Sequence, residues 1–576
     1  MKVEFFILDA DYEQSEKESF VRLFGVTEEG KTLGVSFPCQ PYFYVLPREP
    51  DLAEKEIREV LKDKIKIRKI EREEKFFEES KKTFLKIFCY LPQDVQKTRD
   101  IVKQLEKKRG GSGSVIEEYE YSINLYRRFL LDRNIPGSCW VEVEGEREKS
   151  DMKVDFFIKG EKIKPVERLT YPPLRMLSFD IETYEGVKEK KIIMVSLWTD
   201  KFHKVITYQK SEYPEWVEVV EDEKRLLERF FEILDEYDPD VIFSYNGDAF
   251  DFPVIQERAS KNKIELLLSR DAKKMRFTRR ARVSSAKIKG RVHIDLYNFI
   301  NNILAPNLQT EALTLDAVAG ELLGDEKIEM DYQELLESWR KSKNLEKLAS
   351  YSLKDAQLTF DLGLLLLPQM LELSSTVGQL LFDTSRMTYG QLAEWFLTQK
   401  AVEQNRIIPN QPKWEEIQKR RTFTYPGGFV KEPVGGVHEN IAVLDFRSLY
   451  PSIIATFNIS PETLNCPCHK ENGYKVPETD YWFCIEKKGF VSGVIEELIT
   501  RRAKLKKELS MLPEDSPEYR ILNNRQNSLK IVANATYGMF AFAGAKWYCR
   551  ECAESCASFG RFFINQVIKE AEGKNF

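Results

Sequence analysis

The sequence predicts a multidomain protein that combines α/β and α+β architecture. Its 576 residues, at roughly 150 residues per domain, suggest about three or four domains. Strand-like runs alternate with helical runs between residues 176 and 245, which is typical of an α/β sheet. Two helical segments, separated by Pro513 and Pro517, follow between residues 494 and 541.

The elements are expected in a definite order along the chain. Residues 2–46 alternate apolar and polar side chains in short runs, which predicts a sheet domain. Residues 110–114 are a flexible glycine-serine tract, either a natural loop or an engineered one. A boundary is expected between Pro165 and Pro173. The later elements are predicted as strands 176–181, 192–197 and 241–245, helix 223–237, helical residues 364–402 and strand 441–444.

Composition excludes several classes of protein. A hydrophobic fraction of 42% and a charged fraction of 31% are typical of a soluble globular chain. The net charge of −5 excludes a uniformly basic coat for nucleic acid, although residues 499–546 alone hold nine basic and four acidic side chains. No apolar run approaches the roughly 20 residues of a membrane span. We therefore expect a cytoplasmic protein with no membrane partner.

Four acids and a tyrosine form a first candidate site. Asp180 and Glu182 lie two apart on a predicted strand, so both carboxylates project from one face and favour a divalent cation. Asp251 follows a predicted strand, at the edge where open α/β sheets carry their chemistry. Tyr351 and Asp355 share one face of a predicted helix. A single acidic residue of this kind is usually an ordinary surface residue exposed to water. The prediction therefore rests on the order of all five residues along the chain.

This series resembles the three exonuclease motifs of the proofreading domains of DNA polymerases. The resemblance implies an RNase H-like 3′-5′ exonuclease domain that binds two Mg²⁺ or Mn²⁺ ions, which suits phosphodiester hydrolysis. The acids that would hold the ions are Asp180, Glu182, Asp251 and Asp355. Tyr351 would orient the attacking water, and Asn246 would contact DNA. Asp295 is expected to be structural.

A second candidate site begins at Asp445, which ends an apolar run. A carboxylate at the tip of a buried strand can hold a metal ion beside a phosphate. Its surroundings resemble motif A (Asp-x2-Ser-Leu-Tyr-Pro-Ser) of family B DNA polymerases. The resemblance implies that Asp445 and the Phe446 carbonyl hold catalytic metals, while Ser448 and Leu449 bind triphosphate through their amides. Tyr450 would lie under the sugar and disfavour a 2′-hydroxyl.

Helical spacing predicts a cationic partner for that site. Lys530, Asn534 and Tyr537 lie at i, i+4 and i+7, which is one stripe of a helix. Arg502 and Lys506 form an i, i+4 pair on the preceding helix. A merely solvated basic face would not put Asn and Tyr on that stripe. The stripe resembles motif B of the same family, in the fingers, and implies that these residues bind an incoming nucleotide.

Two further elements follow from the resemblance. The turn Tyr425-Pro426-Gly427-Gly428 is similar to the family's Tyr-x-Gly-Gly element, so Tyr425, Gly427 and Gly428 would contact DNA. The archaeal branch, which fits best, has an N-terminal pocket for template uracil. The matching positions are Tyr12, Pro41, Tyr42, Pro92, Val95 and Arg128. Leu125 replaces a usual aromatic residue, and an ordinary apolar cleft is the alternative.

The resemblance also divides the chain into segments. They are an N-terminal domain (1–165), an exonuclease domain (166–367), a helical return to the N-terminal domain (368–408), a first palm segment (409–492), the fingers (493–543) and a second, truncated palm segment (544–576). No aspartate follows Asp515, so the Asp-Thr-Asp hairpin of motif C and the thumb are expected on a small second polypeptide. An intein-split precursor and a truncated chain are the alternatives.

The predicted function is that of the large subunit of a DNA-dependent DNA polymerase with 3′-5′ proofreading, associated with the nucleoid. Its expected partners are primer-template DNA, deoxynucleoside triphosphates (dNTPs) and the small second subunit, with a sliding clamp as a further candidate. The alternatives are a free-standing 3′-5′ exonuclease with an inactive polymerase body and a uracil-sensing DNA-binding module. The intact motif A and motif B residues favour the polymerase.

The cysteines leave a choice between metal and structural roles. The first group could bind zinc and comprises Cys466, Cys468, His469 and Cys484. The second group, Cys549, Cys552 and Cys556, could hold a cluster, but its helical spacing is more typical of a buried stripe. Heat-adapted relatives tend to bridge the equivalents of a cysteine near 466 to 484, and of 549 to 552. Structural thiols or disulfides are therefore favoured over a metal.

Overall fold

The computed structural model describes residues 1–78, 80–108, 111–185, 189–280, 283–325 and 332–574. Gly110, in the predicted glycine-serine tract, lies outside the described residues. Among the helices of the described ranges, none is long and apolar enough to cross a membrane.

The strands in chain order are β1 (Lys2–Gln14), β2 (Ser19–Val26), β3 (Thr32–Pro38), β4 (Tyr42–Pro47), β5 (Ile67–Phe77), β6 (Ser80–Cys89), β7 (Lys107–Lys108), β8 (Gly111–Ser112), β9 (Val115–Tyr119), β10 (Trp140–Glu148), β11 (Phe156–Pro165), β12 (Met176–Glu185), β13 (Lys190–Thr199), β14 (His203–Thr207), β15 (Val217–Val219), β16 (Val241–Ser244), β17 (Arg276–Arg280), β18 (Val283–Lys287), β19 (Val292–Asp295), β20 (Tyr474–Lys475) and β21 (Trp482–Phe483).

The α-helices are α1 (Pro50–Leu61), α2 (Pro92–Val102), α3 (Leu125–Asp132), α4 (Glu223–Tyr237), α5 (Asp251–Lys261), α6 (Leu296–Phe299), α7 (Leu315–Leu323), α8 (Tyr332–Lys341), α9 (Leu345–Val377), α10 (Leu381–Thr384), α11 (Tyr389–Glu403), α12 (Trp414–Arg421), α13 (Leu449–Thr456), α14 (Phe490–Leu509), α15 (Pro517–Ala541) and α16 (Arg550–Gly573).

The chain forms two compact units, and each is discontinuous in sequence. Unit 1 comprises Met1–Glu13, Phe20–Cys39 and Ile135–Thr388, and unit 2 comprises Gln14–Ser19, Gln40–Asn134 and Tyr389–Phe576. The mixture of sheets and helices confirms the predicted α/β and α+β class. The six-segment division of the chain stays a prediction.

Unit 1 contains a closed barrel and a six-stranded sheet. The barrel has the strand order β1-β10-β11-β3-β2, and the sheet has the order β15-β14-β13-β12-β16-β19. Strand β12 is central, antiparallel to β13 and parallel to β16. Helix α9 covers one face so closely that a Cβ on its Gly363 would lie 2.6 Å from the Phe243 ring. The predicted strands 176–181, 192–197 and 241–245 and the predicted helix 223–237 are present here, as β12, β13, β16 and α4.

Unit 2 contains a four-stranded sheet, β5-β6-β4-β9, and a helical region. Helices α14 and α15 pack together and are joined by the short segment 510–516, as the prolines predict. Helix α13 contacts α14, α15 and α16. Helix α16 carries Cys552 and Cys556 in fully buried positions, as expected for an apolar stripe, and both are thiols outside any disulfide.

The predicted strand 441–444 is wrong. Residues 441–446 adopt no regular secondary structure, and Ile441, Val443 and Leu444 are 70%, 88% and 77% exposed. A strand is stable only when its backbone groups find hydrogen-bonding partners on a neighbouring strand. No segment within the described ranges pairs with these residues, so the apolar pattern has nothing to be buried against.

Candidate active sites

Three carboxylates of unit 1 converge on one point. Asp180 and Glu182 lie on β12, Asp355 lies on α9, and one carboxyl oxygen of each falls within 4.8 Å of the others. Their approach depends on close packing of the helix on the strand, because the Ser178 hydroxyl donates to the Ala356 carbonyl at 2.6 Å. Glu182 and Asp355 are buried, and Asp180 is half-buried.

The other face of β12 is apolar and anchors the strand. Phe179 and Ile181 belong to a buried cluster with Phe230 and Phe252. Because side chains alternate along a strand, burying these residues forces Asp180 and Glu182 to the face that α9 covers. Apolar packing therefore holds like charges together, and a divalent cation is the group that offsets their repulsion.

Asp251 is buried beside this cluster but is not one of the three converging acids. It is the first residue of α5 and is 3% exposed. Burial raises the pKa of its carboxyl to about 7, the charge of Asp295 adds to the rise, and a backbone hydrogen bond from Ile181 opposes it. One of its carboxyl oxygens has no hydrogen-bond partner among the described residues. A buried oxygen without a partner, next to three converging carboxylates, fits a metal ligand.

Tyr351 and Asn246 complete the first predicted set. Tyr351 is half-buried on α9, one turn before Asp355. Asn246 adopts a left-handed conformation, with φ of +64°. Its backbone N–H donates to Asp295 at 2.8 Å. The structure thus places Tyr351 on the helix that carries Asp355, and Asn246 on the loop that leads to Asp251.

Asp295 organises the loop between β16 and α5. Its carboxylate accepts the backbone N–H groups of Asn246 at 2.8 Å and of Asp248 at 3.1 Å. It also caps α6 by accepting the N–H of Tyr297 at 3.1 Å. Burial raises the pKa of Asp295 to about 6. These bonds explain why an acid is buried here without contributing to the carboxylate cluster.

A buried network behind this loop has no local signal in the sequence. Arg386 donates to both carboxyl oxygens of Asp248, at 2.7 and 3.2 Å. Nδ1 of His293 lies 3.1 Å from Arg386 Nη2, and its Nε2 lies 2.8 Å from the Ser244 hydroxyl. Burial lowers the pKa of His293 to about 3, so the neutral ring accepts from Arg386. The network fixes the loop that precedes Asp251.

In unit 2, the motif A residues lie at the start of α13. Ser448 precedes the helix with φ of +52°, a conformation that a serine adopts rarely. Leu449 is the first helical residue. Asp445 is exposed and Phe446 half-exposed on the irregular segment before it. No group of three or more potential metal-ligating side chains in the described ranges includes Asp445.

Four cations surround the start of α13. Arg502 and Lys506 lie on α14, Lys530 lies on α15, and Arg447 lies one residue before Ser448. The positive charge of Arg502 lowers the pKa of Lys506, with burial, Arg447 and Lys530 adding to the effect. Burial and then Arg447 lower the pKa of Arg502. Cations that destabilise one another in this way favour a bound anion. Sequence reasoning missed Arg447.

Aromatic rings line the same region. Tyr450 and Tyr537 stack with ring centroids 4.2 Å apart and planes at 10°. The Tyr425 hydroxyl lies 3.4 Å from that of Tyr537. A Cβ on Gly428 would lie 3.2 Å from the Tyr450 hydroxyl, so the glycine allows the turn to approach the ring. Asn534 is exposed on the same stripe of α15.

Arg561 holds the Tyr-Pro-Gly-Gly turn in place and was also missed by sequence reasoning. Its guanidinium donates to the carbonyls of Pro426 at 2.9 Å and Gly427 at 2.7 Å. It also pairs with Glu478 at 2.6 Å. An arginine far along the chain with no motif around it offers no sequence signal for this contact.

The residues of the predicted uracil set are divided between the two units. Five of the six residues lie in unit 2, namely Pro41, Tyr42, Pro92, Val95 and Arg128, while Tyr12 lies on β1 in unit 1. The Arg128 guanidinium lies 4.7 Å from the Tyr42 ring, whose hydroxyl donates to Asp132 at 2.7 Å. Val95 instead packs in an apolar cluster with Phe43, on the other face of β4.

Comparisons with known proteins give this geometry a family. Residues 116–318 match the exonuclease domain of DNA polymerase family B, and residues 384–575 match DNA polymerase family B. The chain is 36% identical over 579 positions to a DNA polymerase of Pyrococcus glycovorans, covering 99% of this chain and 68% of that protein. A DNA polymerase of Desulfurococcus sp. (strain Tok) is also 36% identical, with 99% and 69% covered.

A solved structure supports the same assignment. The family B DNA polymerase from the hyperthermophilic archaeon Pyrobaculum calidifontis matches with a TM-score of 0.85 and 29% identity, covering 99% of this chain and 72% of that chain. Fold and family therefore define an enzyme that carries a carboxylate cluster of the kind that can hold divalent cations. The chain belongs to the family B DNA polymerases and carries their exonuclease domain.

Proposed function

We propose that the protein is a DNA-dependent DNA polymerase that proofreads with its own 3′-5′ exonuclease. The observation that carries the exonuclease assignment is the convergence of Asp180, Glu182 and Asp355 within 4.8 Å. Primer-template DNA and dNTPs are the proposed substrates. A free-standing exonuclease and a uracil-sensing module are less favoured, because neither would need the four cations grouped at α13.

The exonuclease reaction is proposed to occur in unit 1. Two Mg²⁺ or Mn²⁺ ions, when bound, would supply an activated water and stabilise the leaving oxygen. The residues that would hold them are Asp180, Glu182, Asp251 and Asp355. Tyr351, one turn from Asp355, is placed to orient the attacking water. Asn246 would contact the 3′ end of the DNA from the loop that Asp295 fixes.

The nucleotide site is proposed to lie at α13. The triphosphate would be bound by the cations of α14 and α15, together with Arg447. The backbone amides of Ser448 and Leu449, at the start of α13, add an anion-binding helix N-terminus. Tyr450, held by its stack on Tyr537, would lie under the sugar and exclude a 2′-hydroxyl. Asn534 and Tyr537 would line the same site.

The polymerase metal site needs a further carboxylate beside Asp445 and the Phe446 carbonyl. We propose that a polypeptide segment outside residues 1–574 pairs with the exposed apolar residues 441–444 and supplies that carboxylate. It could be joined to this chain or be a separate small subunit. Pairing would convert 441–444 into the strand that its sequence favours and bring Asp445 to a strand end.

The remaining predicted contacts concern DNA. Tyr425, Gly427 and Gly428 are proposed to guide the primer strand, because Arg561 fixes their turn beside Tyr450 and Tyr537. The uracil pocket and a sliding-clamp contact stay hypotheses. The contact between Tyr42 and Arg128 is the observation that supports the pocket.

The nuclease assignment is tested with a 5′-labelled single strand and the purified chain. We expect stepwise 3′-5′ degradation that requires Mg²⁺ or Mn²⁺ and stops in chelator. Asp180→Ala should abolish it, because the carboxylate cluster loses one of its three members. Glu212→Gln, an exposed acid outside the cluster, is the matched control and should degrade DNA normally. Full activity of Asp180→Ala would sink the assignment.

A further inference from the structure

A second metal-type group lies in unit 2 and is distinct from the carboxylate cluster and the motif A segment. Cys466, Cys468 and His469 lie in a tight turn, and Cys484 directly follows β21. One ligand atom from each of the four lies within 4.8 Å of the others. Cys466 and Cys484 are buried, whereas Cys468 is exposed.

The distances match a tetrahedral zinc site. With Zn–S bonds of about 2.3 Å and Zn–N bonds of about 2.0 Å, a tetrahedron separates two sulfurs by about 3.8 Å and a sulfur from a nitrogen by about 3.5 Å. The sulfurs of Cys468 and Cys484 are 3.9 Å apart. Nδ1 of His469 lies 3.1 Å from Cys468, 3.4 Å from Cys484 and 3.9 Å from Cys466. The group needs little movement to enclose an ion.

A disulfide explains this arrangement less well. A disulfide joins two sulfurs at about 2.05 Å and has no use for a third thiol or an imidazole. Here the imidazole nitrogen faces all three sulfurs, and every thiol is free. Three thiols and one imidazole form the donor set that zinc prefers in structural sites.

The surroundings orient the ligands as outer residues of a zinc site do. Nε2 of His469 lies 3.4 Å from the Glu486 carboxylate, which leaves the Nδ1 lone pair directed at the thiols. The backbone N–H of Lys487 donates to the Cys484 sulfur at 3.4 Å. Trp482 donates from its indole to the Cys466 carbonyl at 2.9 Å, which fixes the turn against β21.

We propose that Cys466, Cys468, His469 and Cys484 bind one structural zinc ion. The site would anchor the connection between α13 and α14. Asn458, just after α13, donates to the carbonyls of Cys484 at 2.7 Å and Lys487 at 2.8 Å. It also accepts the N–H of Gly489, just before α14, at 2.9 Å. Zinc therefore holds the segment that positions these two helices.

The test is metal analysis of the full chain, purified under reducing conditions from zinc-containing medium and dialysed against metal-free buffer. We expect about one equivalent of zinc and loss of that zinc in Cys468→Ser. Cobalt substitution should give the visible absorption of tetrahedral thiolate coordination. Cys39→Ser, which alters a cysteine outside the group, is the control and should keep its zinc.

A second variant keeps the test decisive if Cys468→Ser does not fold. Glu486 is 81% exposed in its side chain, so Glu486→Gln should fold normally. We expect it to lower zinc affinity by about 10- to 100-fold in a chelator competition, while Glu471→Gln changes nothing. The proposal is overturned by zinc-free wild-type protein, by a disulfide in this group, by bound iron, or by zinc retained in Cys468→Ser.

Discussion

The carboxylate cluster of unit 1 and the motif A segment of unit 2 place acids in opposite environments. In unit 1, Glu182 and Asp355 are buried, because the apolar face of β12 and the close packing of α9 leave them no other position. In unit 2, Asp445 is exposed on a segment with no strand partner in the described ranges. The comparison teaches that acids of strand-borne motifs converge where neighbouring elements hold the strand in place, as they do for Asp180 and Glu182 on β12.

The cationic side of unit 2 is nevertheless assembled. Helices α13, α14 and α15 pack together through their own contacts, so Arg447, Arg502, Lys506 and Lys530 come together without the strand. Local helical packing is sufficient to bring these cations together, whereas the proposed position of the Asp445 carboxylate requires long-range strand pairing. The carboxylate cluster of unit 1 is supported both by helix packing and by strand pairing.

The largest expected effect is a loss of stability in unit 1, where buried side chains support the loop between β16 and α5. Arg386→Ala would remove the guanidinium that pairs with the buried Asp248 carboxylate and the donor to His293. We expect it to lower the free energy of unfolding by about 3–5 kcal/mol, measured by urea denaturation. Arg340→Ala, at an exposed position of the same unit, should cost less than about 0.5 kcal/mol. Equal losses of unfolding free energy in the two variants would show that Arg386 does not support this loop.

The next effect tests the proposed nucleotide site of unit 2 without requiring catalysis. Lys506→Ala removes a cation that lies among three others, so dNTP binding should weaken by about 10- to 100-fold. Fluorescence titration with a labelled dNTP measures the affinity. Lys507→Ala, at the next position of α14 and also exposed, is the matched control. A similar weakening in both variants would mean that only net charge matters.

The smallest effect is a pH dependence in unit 1. Because burial lowers the pKa of His293 to about 3, well below the unfolded value of about 6.5, the unfolded chain binds an extra proton between these values. The contribution of His293 to stability is therefore present above pH 6.5 and is lost as the pH falls toward 3. From pH 6.5 to 5.5 the loss should be about 1 kcal/mol.

The control for that prediction is His293→Gln, which cannot titrate. Its free energy of unfolding should fall by about 1 kcal/mol less than that of the wild type over the same pH step. The opposing titration of Asp295 is present in both proteins and cancels in the difference. Identical pH slopes would show that folding does not lower the pKa of His293.

Much of this organisation could be predicted from local sequence. Alternation on β12 and helical spacing on α9 and α15 place Asp180, Glu182, Asp355, Lys530 and Tyr537 as expected, because these patterns act within one element. The roles of Arg386, Arg447 and Arg561 could not be predicted, since the residues that each of them interacts with come from distant segments. The predicted strand 441–444 was wrong because an apolar run cannot show whether a pairing partner is present.

One measurement tests the central proposal most directly. We propose that the carboxylate cluster of unit 1 acts as a nuclease by itself, whereas the polymerase metal site needs a carboxylate from a further segment. The purified chain is given a labelled primer-template with Mg²⁺ and all four dNTPs, and both shortening and lengthening of the primer are followed. We predict shortening from the 3′ end without lengthening. Robust primer extension by this chain alone, or an unchanged primer, would contradict the account.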